Sequence, residues 1–300
     1  MNNPLVPARR PNGLPSGFPA RVGVLGGGRM GAGIAHAFLV KGANVVVVER
    51  DEAAAQAGRE RVASSAAKTV ERNPGGNLAE MVSRLSVSVD YADFADRELV
   101  VEAVPEDWAL KVAALRRVEE QLTPGTVLAS NTSSLSVSGL ADELARPQDF
   151  LGLHFFNPVP ASTLIEVVIG QQTRPELVEQ ARTWVHGLGK TAVVVNDAPG
   201  FASSRLGVAI ALEAMRMVEE GVASPEDIDN AMVLGYKHPT GPLRTTDIVG
   251  LDVRLGIATY LHKTLGERFA PPQILRDKVA RGELGRKTGK GFFDWSQSPE

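Results

Sequence analysis

The chain has 300 residues, enough for two domains, with 43% apolar and 22% charged side chains, an ordinary globular balance. Its formal net charge of −3 gives no basis for binding nucleic acid or an anionic membrane. It has no cysteine, which excludes disulfides, thiolate metal sites and a cysteine nucleophile, and fits a cytoplasmic protein.

Residues 1–19 hold Pro4, Pro7, Pro11, Pro15 and Pro19 among few apolar side chains and read as a disordered tail. Arg9-Arg10 is followed by no apolar core of export-signal length. The most apolar segment, residues 22–48, is interrupted by Arg29, His36 and Lys41, so nothing is expected to span a membrane.

Arg21 to Glu49 is the most informative stretch. A β-branched run, Val22 and Val24, leads into Gly26-x-Gly28-x-x-Gly31; an apolar helical segment follows, and a second run, Val45 to Val48, ends on Glu49. The acid lies 21 residues after Gly28, close to the roughly 20 that a dinucleotide site needs. Gly26 permits a tight turn, Gly28 lets backbone approach a pyrophosphate, and Gly31 lets helix and strand pack closely. Arg29 and Met30 sit inside the same loop. The helix N-terminus faces the phosphates with unpaired N–H groups and partial positive charge. Glu49 accepts hydrogen bonds from the ribose hydroxyls and repels a 2′-phosphate by roughly 1–4 kcal/mol, which favours NAD over NADP.

After Glu49, residues 52–71 read as a long helix stopped by Asn73-Pro74-Gly75-Gly76, with Ser64, Ser65, Lys68 and Arg72 on one face. Strands are expected at 86–89, 99–104 and 127–130, with a helix at 107–121. Alternating strands and helices predict a parallel doubly wound sheet, which binds ligands at the carboxyl ends of its strands. The loops at 105–106 and 131–134 therefore become site candidates. A strand at 164–169, a helix at 175–188 and a strand at 191–195 precede the break Asn196-Asp197-Ala198-Pro199-Gly200, taken as the boundary between domains 20–198 and 199–300. Beyond it the patterns are helical: 202–220, a helix started by Ser224-Pro225, and a third from Thr246-Asp247 to about Leu265. Long apolar helices in so small a unit suggest dimerisation.

Histidine suits removal of a hydroxyl proton because its pKa lies near working pH. His36, His186, His238 and His262 read as structural or surface residues. His154 differs: it follows a strand-like segment and precedes a proline-rich turn, where the sheet's crevice belongs, and Glu166 follows in the next apolar run. A carboxylate bonded to the ring fixes its tautomer. Ser133, in Ser130-Asn131-Thr132-Ser133-Ser134, reads as a turn residue or a donor in the same crevice. A Ser-His-Glu hydrolase is the rival enzyme, but Ser133 lies on no Gly-x-Ser-x-Gly elbow.

From Arg21 to Trp295 the chain resembles the 3-hydroxyacyl-CoA dehydrogenases, which include 3-hydroxybutyryl-CoA dehydrogenases. The motifs that carry the resemblance are GGGRMGAGIA (26–35), VVEAVPEDWALK (100–111), SNTSSLS (130–136), HFFNPVP (154–160), NDAPGF (196–201), GPLRTTDIVGLD (241–252) and LGRKTGKGFFDW (284–295). The resemblance implies that His154 is the base, Glu166 its partner and Ser133 a ligand of the substrate hydroxyl near the nicotinamide. It implies that Asn131, Asn157, Glu106, Lys111 and Lys287 line the NAD site, and that Ser65 and Lys68, or Arg72, contact CoA. It also implies a short-chain acyl-CoA substrate, entering between a Rossmann-type domain and an all-α domain, in a homodimer. Two departures stand out. Ser204 replaces the asparagine that many relatives carry after the PGF motif, and Ser162-Thr163 replaces Met-Lys. Relatives acting on L-gulonate or L-carnitine, a lysine-dependent β-hydroxyacid dehydrogenase and a crystallin-like NADH-binding protein are the alternatives.

Overall fold

The structure, a computed structural model, describes residue 14, residues 16–73 and residues 75–296. It divides into two compact units, the first ending at Asp197 and the second beginning at Ala198.

In the first unit, β-branched runs become strands because both of their faces are covered. β1 (Arg21–Leu25) and β2 (Asn44–Val48) each bury four consecutive positions, the signature of a parallel sheet under helices. Between them runs α1 (Arg29–Val40). There follow α2 (Glu52–Arg72), α3 (Leu78–Ser83), β3 (Leu85–Ser88), β4 (Leu99–Glu102), α4 (Trp108–Glu119), β5 (Val127–Ser130) and α5 (Val137–Asp142). The unit closes with β6 (Phe150–Phe155), β7 (Leu164–Ile169), α6 (Pro175–Gly187) and β8 (Thr191–Asn196). Asp51 starts α2 by accepting the Ala54 N–H at 2.8 Å.

The eight strands lie in the order β3-β2-β1-β4-β5-β6-β7-β8. The order reverses between β1 and β4, so the crevice at their carboxyl ends is the switch point where such sheets hold ligands. The sheet is parallel, as expected of a doubly wound fold, except at one pair. β6 and β7 pair antiparallel, because residues 156–163 are too few for the crossover that a parallel pair requires. The register sets His154 directly opposite Glu166.

The tail reading needs correction where the structure describes it; residues 1–13 and 15 lie outside the described residues. Leu14 and Phe18 belong to the main core, Phe18 fully buried with its ring 5.6 Å from that of Phe38. The Trp184 indole N–H donates to the Gly17 carbonyl at 3.0 Å, fastening this segment to α6.

The second unit is helical: α7 (Ser203–Glu219), α8 (Pro225–Asn230), α9 (Pro242–Val249), α10 (Leu251–Leu265) and α11 (Gln273–Ala280), around Leu212, Met215, Leu243, Leu251, Leu261 and Leu275. Ser224 caps α8, its hydroxyl accepting the Asp227 N–H at 3.1 Å. The single helix expected from Thr246 to Leu265 is instead two, broken at Gly250 with φ +107°. Asp247 is no cap. Its buried carboxylate accepts the backbone N–H groups of Phe292 and Phe293 and the indole N–H of Trp295. The true start of α9 is served by Asp229, which accepts the Leu243 and Arg244 N–H groups at 2.8 and 2.9 Å. Among the described residues no helix is long and apolar enough to cross a membrane.

Candidate active site

The glycine loop that joins β1 to α1 divides its work among three residues. Gly26 has φ +93°, and a Cβ there would press on the Ala103 carbonyl at the exit of β4. A Cβ on Gly31 would lie 1.7 Å from the Gly26 oxygen, so any other residue would force the helix off the strand. A Cβ on Gly28 would meet nothing within 4 Å, which leaves the face over the loop open. α1 has no side-chain cap and no acid in its first turn, so its N-terminal N–H groups are not already claimed by a carboxylate. Glu49 ends β2 beside the loop, with Oε1 accepting the Gly27 N–H at 2.5 Å. This set fits a dinucleotide: backbone donors and positive dipole for the phosphates, an acid for the ribose. Met30 packs partly buried against the core.

At the other end of the crevice, β6 and β7 place His154 and Glu166 on one face as cross-strand neighbours. Nδ1 of His154 lies 2.8 Å from Oε2 of Glu166, with the side chains 8% and 0% exposed. The Phe156 ring packs 4.4 Å from the imidazole. Asn131, at the exit of β5, accepts the Phe155 N–H through its side-chain oxygen at 2.8 Å, which ties the 131–134 loop to the histidine's strand.

Glu106 organises that loop. Its Oε1 accepts the Thr132 hydroxyl (2.7 Å), the Ser133 N–H (2.8 Å), and the N–H and hydroxyl of Ser134 (both 3.0 Å), with the Ser133 hydroxyl at 3.2 Å. Burial raises the Glu106 pKa, but the charge of Lys111 and these donors outweigh it, and the carboxyl stays below its ordinary value.

The Lys111 side chain is buried in the protein. It is 1% exposed, and Nζ donates to Glu102 Oε1 at 2.7 Å and to the Val104 carbonyl at 3.0 Å, with Glu106 Oε2 3.4 Å away. Its three donors are thus directed at protein oxygens, and its link to the crevice runs through Glu106. Glu102 is fully buried and also accepts the Ser130 hydroxyl at 2.6 Å and the Val104 N–H at 2.7 Å. Sequence reading missed Glu102 as a site-supporting group; the signal was an acid closing the apolar run 99–102, which needs a partner when buried.

Ser65 and Lys68 of α2 line a cleft of about 780 Å³ that also takes in Arg29, His36 and Asn157. Arg61 and Arg72 add positive charge against the single acid Glu60. The far wall is the turn after β6, where Lys190 donates to the carbonyls of Val159 and Ser162.

The remaining candidates lie in the second unit. Ser204 is half-buried in the first turn of α7. Lys287 is half-exposed and bridges both carboxylate oxygens of Asp252 at 2.6 and 2.7 Å.

Two family models match the chain. Residues 21–198 match the NAD binding domain of 3-hydroxyacyl-CoA dehydrogenase, and residues 200–295 match its C-terminal domain. A 3-hydroxybutyryl-CoA dehydrogenase of Mycobacterium tuberculosis is 41% identical over 286 residues, covering 92% of this chain and 98% of that one. The mitochondrial hydroxyacyl-coenzyme A dehydrogenase of Sus scrofa is 38% identical over 284 residues, covering 91% and 90%. The crystal structure of an (S)-3-hydroxybutyryl-CoA dehydrogenase from Ralstonia eutropha superposes with a TM-score of 0.89 at 38% identity, covering 93% of this chain and 100% of that one.

Proposed function

This chain belongs to the 3-hydroxyacyl-CoA dehydrogenase family, and from that premise we propose that it oxidises the C3 hydroxyl of a short-chain L-3-hydroxyacyl-CoA, with His154 as base. The carrying observation is the 2.8 Å contact of a buried imidazole with a buried carboxylate at the ligand-binding edge of a dinucleotide sheet. NAD is the cofactor, and when bound it accepts the hydride. The protein supplies the rest. Glu166 holds Nδ1, so Nε2 of His154 is the nitrogen that takes the hydroxyl proton while the C3 hydrogen departs as hydride. The carboxylate offsets the positive charge that develops on the ring. Ser133, on the loop fixed by Glu106, orients the substrate oxygen. NADH oxidation on addition of acetoacetyl-CoA tests the activity; NADH binding without turnover of any hydroxyacyl or ketoacyl substrate would defeat it.

Glu49 sets the cofactor preference in this reading. Glu49→Ser removes the charge opposed to a 2′-phosphate and is expected to raise the NADP/NAD ratio of kcat/KM by about tenfold or more, from the 1–4 kcal/mol of repulsion. Steady-state kinetics with both cofactors reads it.

The cationic cleft suits the phosphates of CoA. Lys68→Ala combined with Arg72→Ala is expected to raise KM for acetoacetyl-CoA by roughly 3–10-fold and to leave kcat nearly unchanged, because these groups bind ground and transition states alike. The effect should shrink in high salt. A fall in kcat with KM unaltered would place the nucleotide elsewhere. Homodimerisation through the second unit belongs to the same proposal, supported by the exposed apolar side chains Leu206, Ile210, Ile248, Val249 and Val253.

A further inference from the structure

The glycine loop and the cationic cleft adjoin. α2 presses on the loop where two glycines meet: a Cβ on Gly27 would lie 3.1 Å from the Cα of Gly58. Further along the same two helices, Nε2 of His36 on α1 stands 2.9 Å from the Thr69 hydroxyl on α2. The cleft follows the groove between these contacts. Arg29, Gly33 and His36 line it from α1, at the four- and three-residue steps of one helix face, and Arg61, Lys68 and Arg72 line it from α2.

Arg29 stands at the junction. It is the first residue of α1, directly after Gly28, whose open face admits a pyrophosphate, and it also lines the cleft. The side chain is exposed, and among the described residues it makes no hydrogen bond or ion pair. The one acid lining the cleft, Glu60, accepts the Gln56 amide at 2.7 Å and pairs with no cation among the described residues. Arg61 differs. Its Nη1 donates to the Gly27 carbonyl at 3.2 Å, while Glu49 holds the N–H of the same glycine. The loop thus fixes Arg61 and leaves Arg29 unfixed beside it.

That difference has an energetic consequence. A long, solvated side chain loses rotamer freedom when an anion captures it. The first anion to arrive bears this cost, and a second anion in reach finds the guanidinium already in place. A fixed cation gives no such gain, because its attraction to each anion is independent of the other. Direct repulsion between the two sets of phosphates opposes the effect but does not depend on Arg29.

We propose that Arg29 is shared by the pyrophosphate of NAD and the CoA phosphates of the thioester, so that each ligand binds more tightly once the other is bound. The proposal rests on the reading of the cleft as the CoA site and adds to it a coupling between cofactor and substrate.

NADH binding, followed by fluorescence titration without and with saturating CoA, tests it; CoA itself carries no acyl group to reduce, so the two stay bound unreacted. CoA is expected to lower the Kd of NADH by about 2–10-fold, the worth of ordering one long side chain once rather than twice. By linkage, calorimetry should show NADH tightening CoA by the same factor. Arg29→Gln is expected to bring that factor to one or below, and Arg29→Lys to retain part of it. Thermal melts identify any variant that fails to fold. A purely structural role for Arg29 would weaken each ligand alone and leave the factor unaltered in the glutamine variant, which overturns the proposal. Wild-type NADH affinity that bound CoA leaves unmoved or weakens also overturns it, and the cleft reading stands if Lys68→Ala with Arg72→Ala still weakens CoA. If that double variant binds CoA as wild type does, the nucleotide lies elsewhere, and the cleft reading and the coupling fall together.

Discussion

His154→Gln is expected to lower kcat for acetoacetyl-CoA reduction by roughly 10²–10⁴-fold, the usual worth of a positioned general acid–base group. Glutamine has similar reach and can still hydrogen-bond to Glu166, so the strand pair and crevice should persist. It cannot exchange a proton at working pH, and that is the property being removed. KM for the thioester should move only a few-fold, and NADH affinity, read by fluorescence titration, should hold. A variant with near-normal turnover would remove His154 from the mechanism. Glu166→Gln tests the other half of the pair. A unit charge about 4 Å from another is worth about 4 kcal/mol at an effective dielectric of 20, and less if water enters. Losing it from beside a developing imidazolium should therefore cost about 10²-fold in kcat, with binding little changed. If the glutamine variant were as active as wild type, the carboxylate would be packing rather than electrostatics.

The parts of this site that the sequence made legible are those whose chemistry is local. Gly26, Gly28 and Gly31 obey backbone sterics over six residues, so spacing alone announces the turn, the open face and the close packing that the structure displays. Glu49 ends an apolar run, and a strand end is visible in one dimension. His154 and Glu166 were nameable as a pair, yet the fact that makes them touch, the antiparallel register of β6 and β7, depends on the shortness of the intervening turn. Strand periodicity carries no direction. The burial of Lys111, which the resemblance assigns to the NAD site, was not visible for a related reason: only the fold brings Glu102, at the end of a neighbouring strand, within 2.7 Å of its nitrogen. Phe18 was hidden by composition: five prolines in nineteen residues outweigh one aromatic, although that aromatic is fully buried against Phe38. Asp247 looked like a helix start because acids favour such positions; three distant N–H groups claim it instead.

Lys111→Met is expected to destabilise the protein by about 3–5 kcal/mol, since removing one partner strands the other as an uncompensated buried charge. Methionine nearly preserves the shape of the lysine stem, so the loss measures electrostatics more than volume. Glu102, fully buried, would keep the Ser130 hydroxyl and the Val104 N–H but lose its only cation among the described residues. For a unit of this size, each kcal/mol lowers Tm by about 2–4 °C, so the melt should fall by roughly 6–20 °C. The double variant with Glu102→Gln should recover much of that loss, because it removes the stranded charge and leaves an amide able to use Ser130. The same substitution weakens the hold on Glu106, which Lys111 approaches at 3.4 Å and helps to keep ionised. Ser133 hangs from that carboxylate through its N–H and its hydroxyl. The folded double variant should therefore still show a lower kcat, because recovered stability does not restore the charge that orients the loop. Full recovery of both melt and turnover would mean that Glu106 holds Ser133 without help, and that the buried pair serves the fold alone.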